Sequence, residues 1–352
     1  MKPTTGYLHV GDLPYESIKS VTAMEAKLYK ELPFLACLPK ISVEESLKRR
    51  SFINIPGIFE DEDKIILKTG LPSYDEEMSL LNKAYNNYKT TNLEEYAFED
   101  LFLEKFCQMI KKFKPPYACV NILGPFTVSQ ILSTSAKEQA LVDKNYKKLF
   151  TQVVCVKGFW AIDKIKEYCP DTIPIIILEE PMFNQFGMLK REDEDVTAEN
   201  VTKMFEIVVS KLKSAGAMVG IQCMDKCDWS IPIKSGVDLI SYDAYNNPNN
   251  LCIYPEIVTS FLQKGGLINW GIVPTVSETL VRGLSIEYLF NRLEATIKGV
   301  ALAGVPINLL QNSALVSLNG NTSHLPVFFA EKAIIMVAQL AGRLSTSFGF
   351  TD

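Results

Sequence analysis

The stretch "IPIIILEEP", Ile173 to Pro181, decides the fold. It is apolar on both sides of any strand drawn through it, rich in β-branched residues, and closed by two glutamates and a proline. A strand covered by helices on both faces reads this way, as a continuous apolar run. Working outward, similar runs occur at "YACVNIL" (Tyr117–Leu123), "AMVGIQC" (Ala217–Cys223), "VDLISYDAY" (Val237–Tyr245), "LINWGIVPT" (Leu267–Thr275) and "VPINLLQNS" (Val305–Ser313). Helical patterns separate them, including stretches through Val142 and over Tyr146–Tyr168. Another helix follows the acidic loop "KREDEDV", opening at Thr197, an N-cap residue type, and running to about Ala215. Two further runs, near "TTGYLHV" and "FLACLPK", bring the strands to about eight, the number of a (β/α)8 TIM barrel. The α/β reading is therefore a single barrel domain over residues 1–352. A helical insertion typified by "SYDEEMSLLNKAYNNYK" occupies about residues 42–113. No Gly-x-Gly-x-x-Gly phosphate loop, internal repeat or low-complexity linker interrupts it.

Composition narrows the function classes. The chain of 352 residues is 47% hydrophobic and 22% charged, with 36 basic and 41 acidic residues and a formal net charge of −5. Its basic clusters, "KRR" at Lys48–Arg50 and "KKFK" at Lys111–Lys114, are short and isolated, which argues against nucleic acid as a partner. "IPIIIL" and "AIIMVAQLAG" fall well short of the ~20 residues of a membrane span, and "MKPTTGYLHV" lacks the apolar core of a signal peptide. Eight scattered cysteines without framework spacing suit free thiols in a reducing compartment. The expectation is a cytoplasmic protein, monomer or homodimer, acting on a small molecule.

In a barrel, the polar residues just after each strand face the catalytic mouth. Here these are Glu179 and Glu180, Gln222 to Asp228, Asp243 to Asn247, Trp270 to Thr275, and Gln311 to Ser313. Carboxylates in a cleft with apolar walls acquire raised pKa values and serve as general acids or bases. Glu179, Glu180, Asp243 and His9 are the catalytic candidates. Against this, one of the two glutamates is equally well read as capping a neighbouring loop, and Trp229 and Trp270 as core.

Taken in order, "TTG" (Thr4–Gly6), "ELPFLACLPK" (Glu31–Lys40), "GPFT" (Gly124–Thr127), "LEEP" (Leu178–Pro181), "AGAMVGIQCMDKCDWS" (Ala215–Ser230), "VDLISYDAY" and "NWGIVPT" (Asn269–Thr275) resemble one barrel family. It contains the catalytic domain of cobalamin-independent methionine synthase, its short single-domain relatives and, more distantly, uroporphyrinogen decarboxylase. The resemblance implies methyl transfer to a thiol, with a zinc ion that holds the substrate sulfur as thiolate. Its ligands, a His-x-Cys pair, an acidic residue and a final Cys, fall here on Gln222, Met224, Asp243 and Ser313. Amide, thioether and hydroxyl are poor zinc donors, so no metal is expected at these degenerate positions. The substrate-serine position falls on Tyr7, and the family's Asp-Glu-Pro is Glu179-Glu180-Pro181.

Two cysteines remain near this site. Cys223 lies between two inward positions and reads as a small buried residue, while Cys227 lies in the following loop and could join Asp243 and His9 in a rearranged metal site. The leading expectation is zinc-independent methyl transfer rather than homocysteine methylation. A corrinoid or tetrahydrofolate serves as methyl carrier, no cofactor is tightly bound, and a corrinoid protein is a possible partner. Tyr7, Gln222, Met224, Tyr245 and Ser313 are the substrate-binding candidates. The alternatives are a non-catalytic partner subunit of a methyltransferase system and a metal-free decarboxylase of the uroporphyrinogen decarboxylase type.

Overall fold

The computed structural model describes residues 6–42, 45–61, 64–68, 71–98, 101–134, 144–188 and 197–347. Thr4 and Thr5 of the first motif, the acidic loop over 190–196 and the expected helix end at Val142 lie outside them. In chain order the elements begin with α1 (Ile18–Leu28), α2 (Leu47–Phe52), β1 (Ile58–Asp61), β2 (Lys64–Leu67), α3 (Tyr74–Asn86) and α4 (Leu103–Phe113). There follow β3 (Tyr117–Leu123), α5 (Pro125–Ile131), β4 (Ser133–Thr134), α6 (Lys144–Tyr168), β5 (Ile173–Glu179) and α7 (Ala198–Ser214). Next are β6 (Met218–Cys223), α8 (Ser230–Lys234), β7 (Leu239–Tyr242), α9 (Pro255–Gln263) and β8 (Leu267–Val273). The chain closes with α10 (Glu278–Gly283), α11 (Ile286–Leu302), α12 (Ile307–Asn312), β9 (Ala314–Leu318) and α13 (Val327–Ser347).

The apolar runs form one curled, six-stranded parallel sheet in the order β3-β5-β6-β7-β8-β9. Right-handed crossovers through intervening helices are what such runs require. The two N-terminal runs are not strands. Each contributes one isolated bridge, Tyr7 to Val316 on β9 and Phe34 to Cys119 on β3, at the two outer edges of the sheet. Gly6 and Gly11, with φ of 71° and 80°, bracket the first run, and prolines at 33 and 39 bracket the second. Left-handed glycines and prolines both interrupt a ladder. The two runs are tied by a hydrogen bond from the Leu13 N–H to the Cys37 carbonyl, 3.0 Å.

Two further expectations are corrected. The insertion is not purely helical: β1 and β2 form an antiparallel hairpin, and β2 pairs in parallel with β4. "VPINLLQNS" is not a strand but the helix α12, with Pro306 at its N-cap, and the last strand starts only at Ala314. By contrast Thr197 does cap α7, its hydroxyl accepting from the Asn200 N–H at 3.1 Å.

Register matters most for the site. Leu123, Glu179, Gln222, Ser241 and Asn269 are successive partners across β3, β5, β6, β7 and β8, so they share one face of the sheet. Deeper polar closure comes from Asn269, whose amide donates to the Ser241 and Ser317 hydroxyls at 2.8 and 2.9 Å. The opposite face packs under helices, with Trp229, Tyr242 and Trp270 fully buried in one aromatic run.

At the end of β5 the chain passes from one face to the other. Glu180, 0% exposed, accepts from the Phe126 N–H (3.0 Å), the Thr127 N–H (2.7 Å) and the Thr127 hydroxyl (2.6 Å). It thereby satisfies donors at the start of α5 that have no intrahelical partner. A Cβ on Gly124 would stand 2.1 Å from its Oε1, so only glycine leaves room for it. Glu180→Ala is expected to lower the unfolding free energy by about 2–4 kcal/mol. Gly124→Ala is expected to lower it too by pushing the carboxylate aside, with urea titration as the readout; an effect near zero for both contradicts the assignment.

Candidate functional site

The mouth of the sheet is built around Glu179. Its Oε1 accepts from the Asn121 side-chain amide at 2.6 Å, and both residues remain half-buried on neighbouring strands of the sheet. Burial raises the Glu179 pKa to about 7; the Asn121 hydrogen bond opposes this, the Asp12 charge adds to it, and Arg50 opposes it. Asp12, also half-buried, follows the first apolar run and accepts from Asn321 Nδ2 at 3.2 Å. Its own pKa is raised by burial against the Arg50 charge and hydrogen bonds from Asn321 and Cys37. Arg50, only 3% exposed, donates to the carbonyls of Leu35 (3.1 Å) and Ala36 (2.8 Å). Gly11 permits this corner, because a Cβ there would lie 2.7 Å from the Asn321 Cα.

Next to Glu179 in register stands Gln222, 4% exposed, whose amide has no side-chain hydrogen bond among the described residues. Met224 is half-buried beyond it. Asp243 is held by the Asn246 N–H (2.9 Å), the Asn246 amide (2.6 Å) and Asn319 Nδ2 (3.2 Å). Burial raises its pKa against those donors.

Several expected site residues lie elsewhere. Ser313 precedes β9, at the opposite end of the parallel sheet from Glu179 and Gln222, and its hydroxyl donates to Leu309 O at 2.7 Å. The corner facing Asp243 is filled by Asn319, after β9. Tyr7 donates to the Leu28 carbonyl and packs on Tyr29 at 5.1 Å; burial, then the Glu31 charge, pushes its pKa up to about 12. His9 stacks on Phe34 at 3.9 Å and bonds the Gly11 carbonyl through Nε2 at 2.7 Å. That bond makes Nε2 the protonated nitrogen, and burial lowers the pKa to about 4. Both residues belong to an aromatic cluster against α1. Tyr245 faces outward beneath Arg292, whose guanidinium lies 4.2 Å from the ring, and lines a cavity of about 450 Å³ with α10 and Tyr288. Asp225 accepts from the Asn184 amide of the segment after β5 (2.8 Å), and Asp228 from the Ser230 N–H of its own loop (2.9 Å).

Fit to a zinc ion fails on donors and on place. Gln222 and Met224 offer an amide and a thioether, the Asp243 oxygens are engaged, and Ser313 stands at the far end. Among the described residues no group of three His, Cys, Asp or Glu side chains could hold a metal ion. The Cys223 thiol is buried and the half-buried Cys227 thiol hydrogen-bonds to it, with burial holding Cys227 far above the usual thiol range. Such a thiol is a weak metal donor at neutral pH.

Asp12, Arg50, Asn121 and Asn319 were not singled out in the sequence. Asp12 carried a usable signal, since it follows the first apolar run as the post-strand rule requires. Asn121 carried a weaker one, a lone polar residue within "YACVNIL". Arg50 carried none, because a helix of the insertion delivers it.

No family model matches the chain, and no curated protein does. Among solved structures, a methyltransferase from Methanosarcina mazei is similar at a TM-score of 0.44 and 13% identity, over 68% of this chain and 63% of that one. This chain thus spans about 63% of that protein's length. A Bacteroidetes-affiliated GH5 cellulase linked with a polysaccharide utilization locus is similar at a TM-score of 0.41 and 11% identity, over 72% of this chain and 80% of that one. Neither likeness bears on the chemistry. No helix among the described residues is long and apolar enough to cross a membrane.

The His9 pKa gives a sign that can be tested. The folded state holds the imidazole neutral down to about pH 4, whereas the unfolded chain takes its proton near 6.5. The His9 contribution is therefore complete above about pH 6.5 and is lost as pH falls toward 4, about 2 kcal/mol by pH 5. His9→Phe keeps the stack and should lose less stability than the parent between pH 7 and 5, by about that amount. Parallel pH profiles would contradict it.

Proposed function

We propose that this protein is a barrel methyltransferase that works without a zinc ion. In this reading it moves a methyl group between an N-methylated small molecule and a corrinoid or folate-type carrier, the carrier being a substrate and not a resident group. The family resemblance of its motifs supplies the reaction class. The observation that carries the mechanism is Glu179, a carboxyl group half-protonated at neutral pH, open to the mouth and held by Asn121. An amine leaves a methyl carbon far more readily once its nitrogen is protonated, and a general acid with a pKa near the working pH suits that task. Asp12 and Arg50 set the local field, Gln222 offers its amide to a bound molecule, and Asp243 with Asn319 closes the far corner. Closure of the sheet into an eight-stave barrel belongs to the same reading, supported by the two edge bridges and the Leu13–Cys37 hydrogen bond. A cytoplasmic site of action fits the eight cysteines, all of them free.

The test is turnover of a methyl-labelled folate or methylamine with reduced cobalamin as acceptor. A rate that falls tenfold per pH unit above about 7, as the acid form is depleted, is expected. Glu179→Gln should lower it by about 10²–10³-fold with substrate binding retained, and a zinc chelator should leave it unchanged. Tight binding of these molecules without turnover would favour a non-catalytic partner, and a rate indifferent to Glu179→Gln would remove the mechanism.

A further inference from the structure

The insertion encloses a cavity of about 580 Å³, a size typical of small-molecule sites. It lies across α2 from the mouth. Arg50 and Phe52 stand two positions apart on α2, about 200° around a helix, so they turn to opposite sides. Arg50 holds the Leu35 and Ala36 carbonyls, while Phe52 walls the cavity together with Phe59, Leu80 and Tyr96. The walls are fixed in place. Lys157, 1% exposed, donates to the Ile53 carbonyl at 2.7 Å and the Tyr96 carbonyl at 3.0 Å, tying two of them together. Gly57, with φ of 71°, lets the hairpin press against the start of α3. A Cβ there would lie 2.6 Å from the Lys68 carbonyl oxygen and 2.9 Å from the Tyr74 ring.

Among the described residues, the charged groups lining this cavity are Glu77 and Glu95, and neither carboxylate has an ion pair or hydrogen bond there. Both act on Tyr96, whose phenol is pushed up to about 12 by burial and then by the Glu95 and Glu77 charges. Tyr96 is only 4% exposed and lines the cavity, yet its hydroxyl has no hydrogen bond among the described residues. A buried hydroxyl is normally partnered, so this one points to a ligand atom as its partner. Aromatic rings beside two carboxylates suit a cation with an apolar body.

We propose that this cavity binds a small aryl- or alkylammonium molecule. Its ammonium N–H donates to the Tyr96 hydroxyl oxygen between Glu77 and Glu95, and its apolar body lies against Phe52, Phe59 and Leu80. The site is separate from Glu179 and does not depend on the reaction proposed there.

The experiment titrates the full chain calorimetrically with 2-phenylethylammonium and with 2-phenylethanol, a neutral molecule of nearly the same size. At low salt the ammonium is expected to bind about tenfold more tightly, a preference that added salt weakens. Tyr96→Phe keeps the ring and should weaken ammonium binding by about fivefold. Glu77→Gln combined with Glu95→Gln should erase the preference while phenylethanol binds as before, which also reports that the cavity is intact. Glu179→Gln should change neither affinity. Equal affinity of the parent chain for the two probes, or no binding of the ammonium, overturns the proposal. So does an affinity indifferent to Tyr96→Phe, or a preference that survives the double substitution. Loss of binding in Glu179→Gln would put the cation at the mouth and overturn it as well.

Discussion

Successive side chains of a strand point to opposite faces, and at the end of β5 this rule separates two adjacent glutamates. Glu179 turns into the open mouth with one amide to hold it. Glu180 turns into the helix layer, where two backbone N–H groups and a hydroxyl surround it. Burial raises both carboxyls to a pKa of about 7, but only Glu179 keeps access to solvent. The helix-bound residue fixes where α5 begins, and so fixes the rim over which its neighbour works. One residue is scaffold and the other is the acid of the proposed reaction, and a shift of one position along the strand would exchange them.

Around Glu179 the sheet lays out a polar row that the apolar runs would not suggest. Gln222, Ser241 and Asn269 follow it strand by strand, and the hydroxyls of Ser241 and Ser317 accept from the Asn269 Nδ2. Buried polar groups are tolerated where they find partners; in this row the Asn269 Oδ1 has none among the described residues, and the Gln222 amide has no side-chain hydrogen bond there either. Charge at the mouth is balanced locally. Two carboxyl groups, Asp12 and Glu179, share one buried guanidinium, and Arg50 is anchored by the carbonyls of Leu35 and Ala36. Burial keeps both carboxyls from ionising as freely as they would in water, and the guanidinium works against it.

The parallel sheet was legible because a strand buried on both faces leaves a continuous apolar run, and "YACVNIL" and "IPIIILEEP" match β3 and β5 closely. The runs that failed did so for local reasons. "VPINLLQNS" is as apolar as a strand, yet Pro306 starts a helix there, and that error carried Ser313 to the wrong end of the sheet. "TTGYLHV" and "FLACLPK" have strand composition but are cut short by glycine and proline to a single bridge each. Glu179, Gln222 and Asp243 do lie at the strand ends where the pattern put them. Tyr7, placed by the family resemblance, and His9 turn into a ring cluster against α1 and Phe34, which the pattern of a one-bridge segment does not reveal. Arg50 was invisible, since its place is set by tertiary packing of the insertion and by nothing in its own neighbourhood.

Everything chemical in this account depends on a carboxyl group that stays partly protonated at neutral pH. Carbon-13 labelling of the glutamate side chains, with the Glu179 resonance assigned by comparison with the Gln variant, measures that directly. A titration midpoint near pH 7, well clear of the exposed glutamates, is the predicted result. A midpoint near 4.5, indistinguishable from theirs, would mean that Glu179 is an ordinary surface-like carboxylate and that the mouth holds no acid at physiological pH.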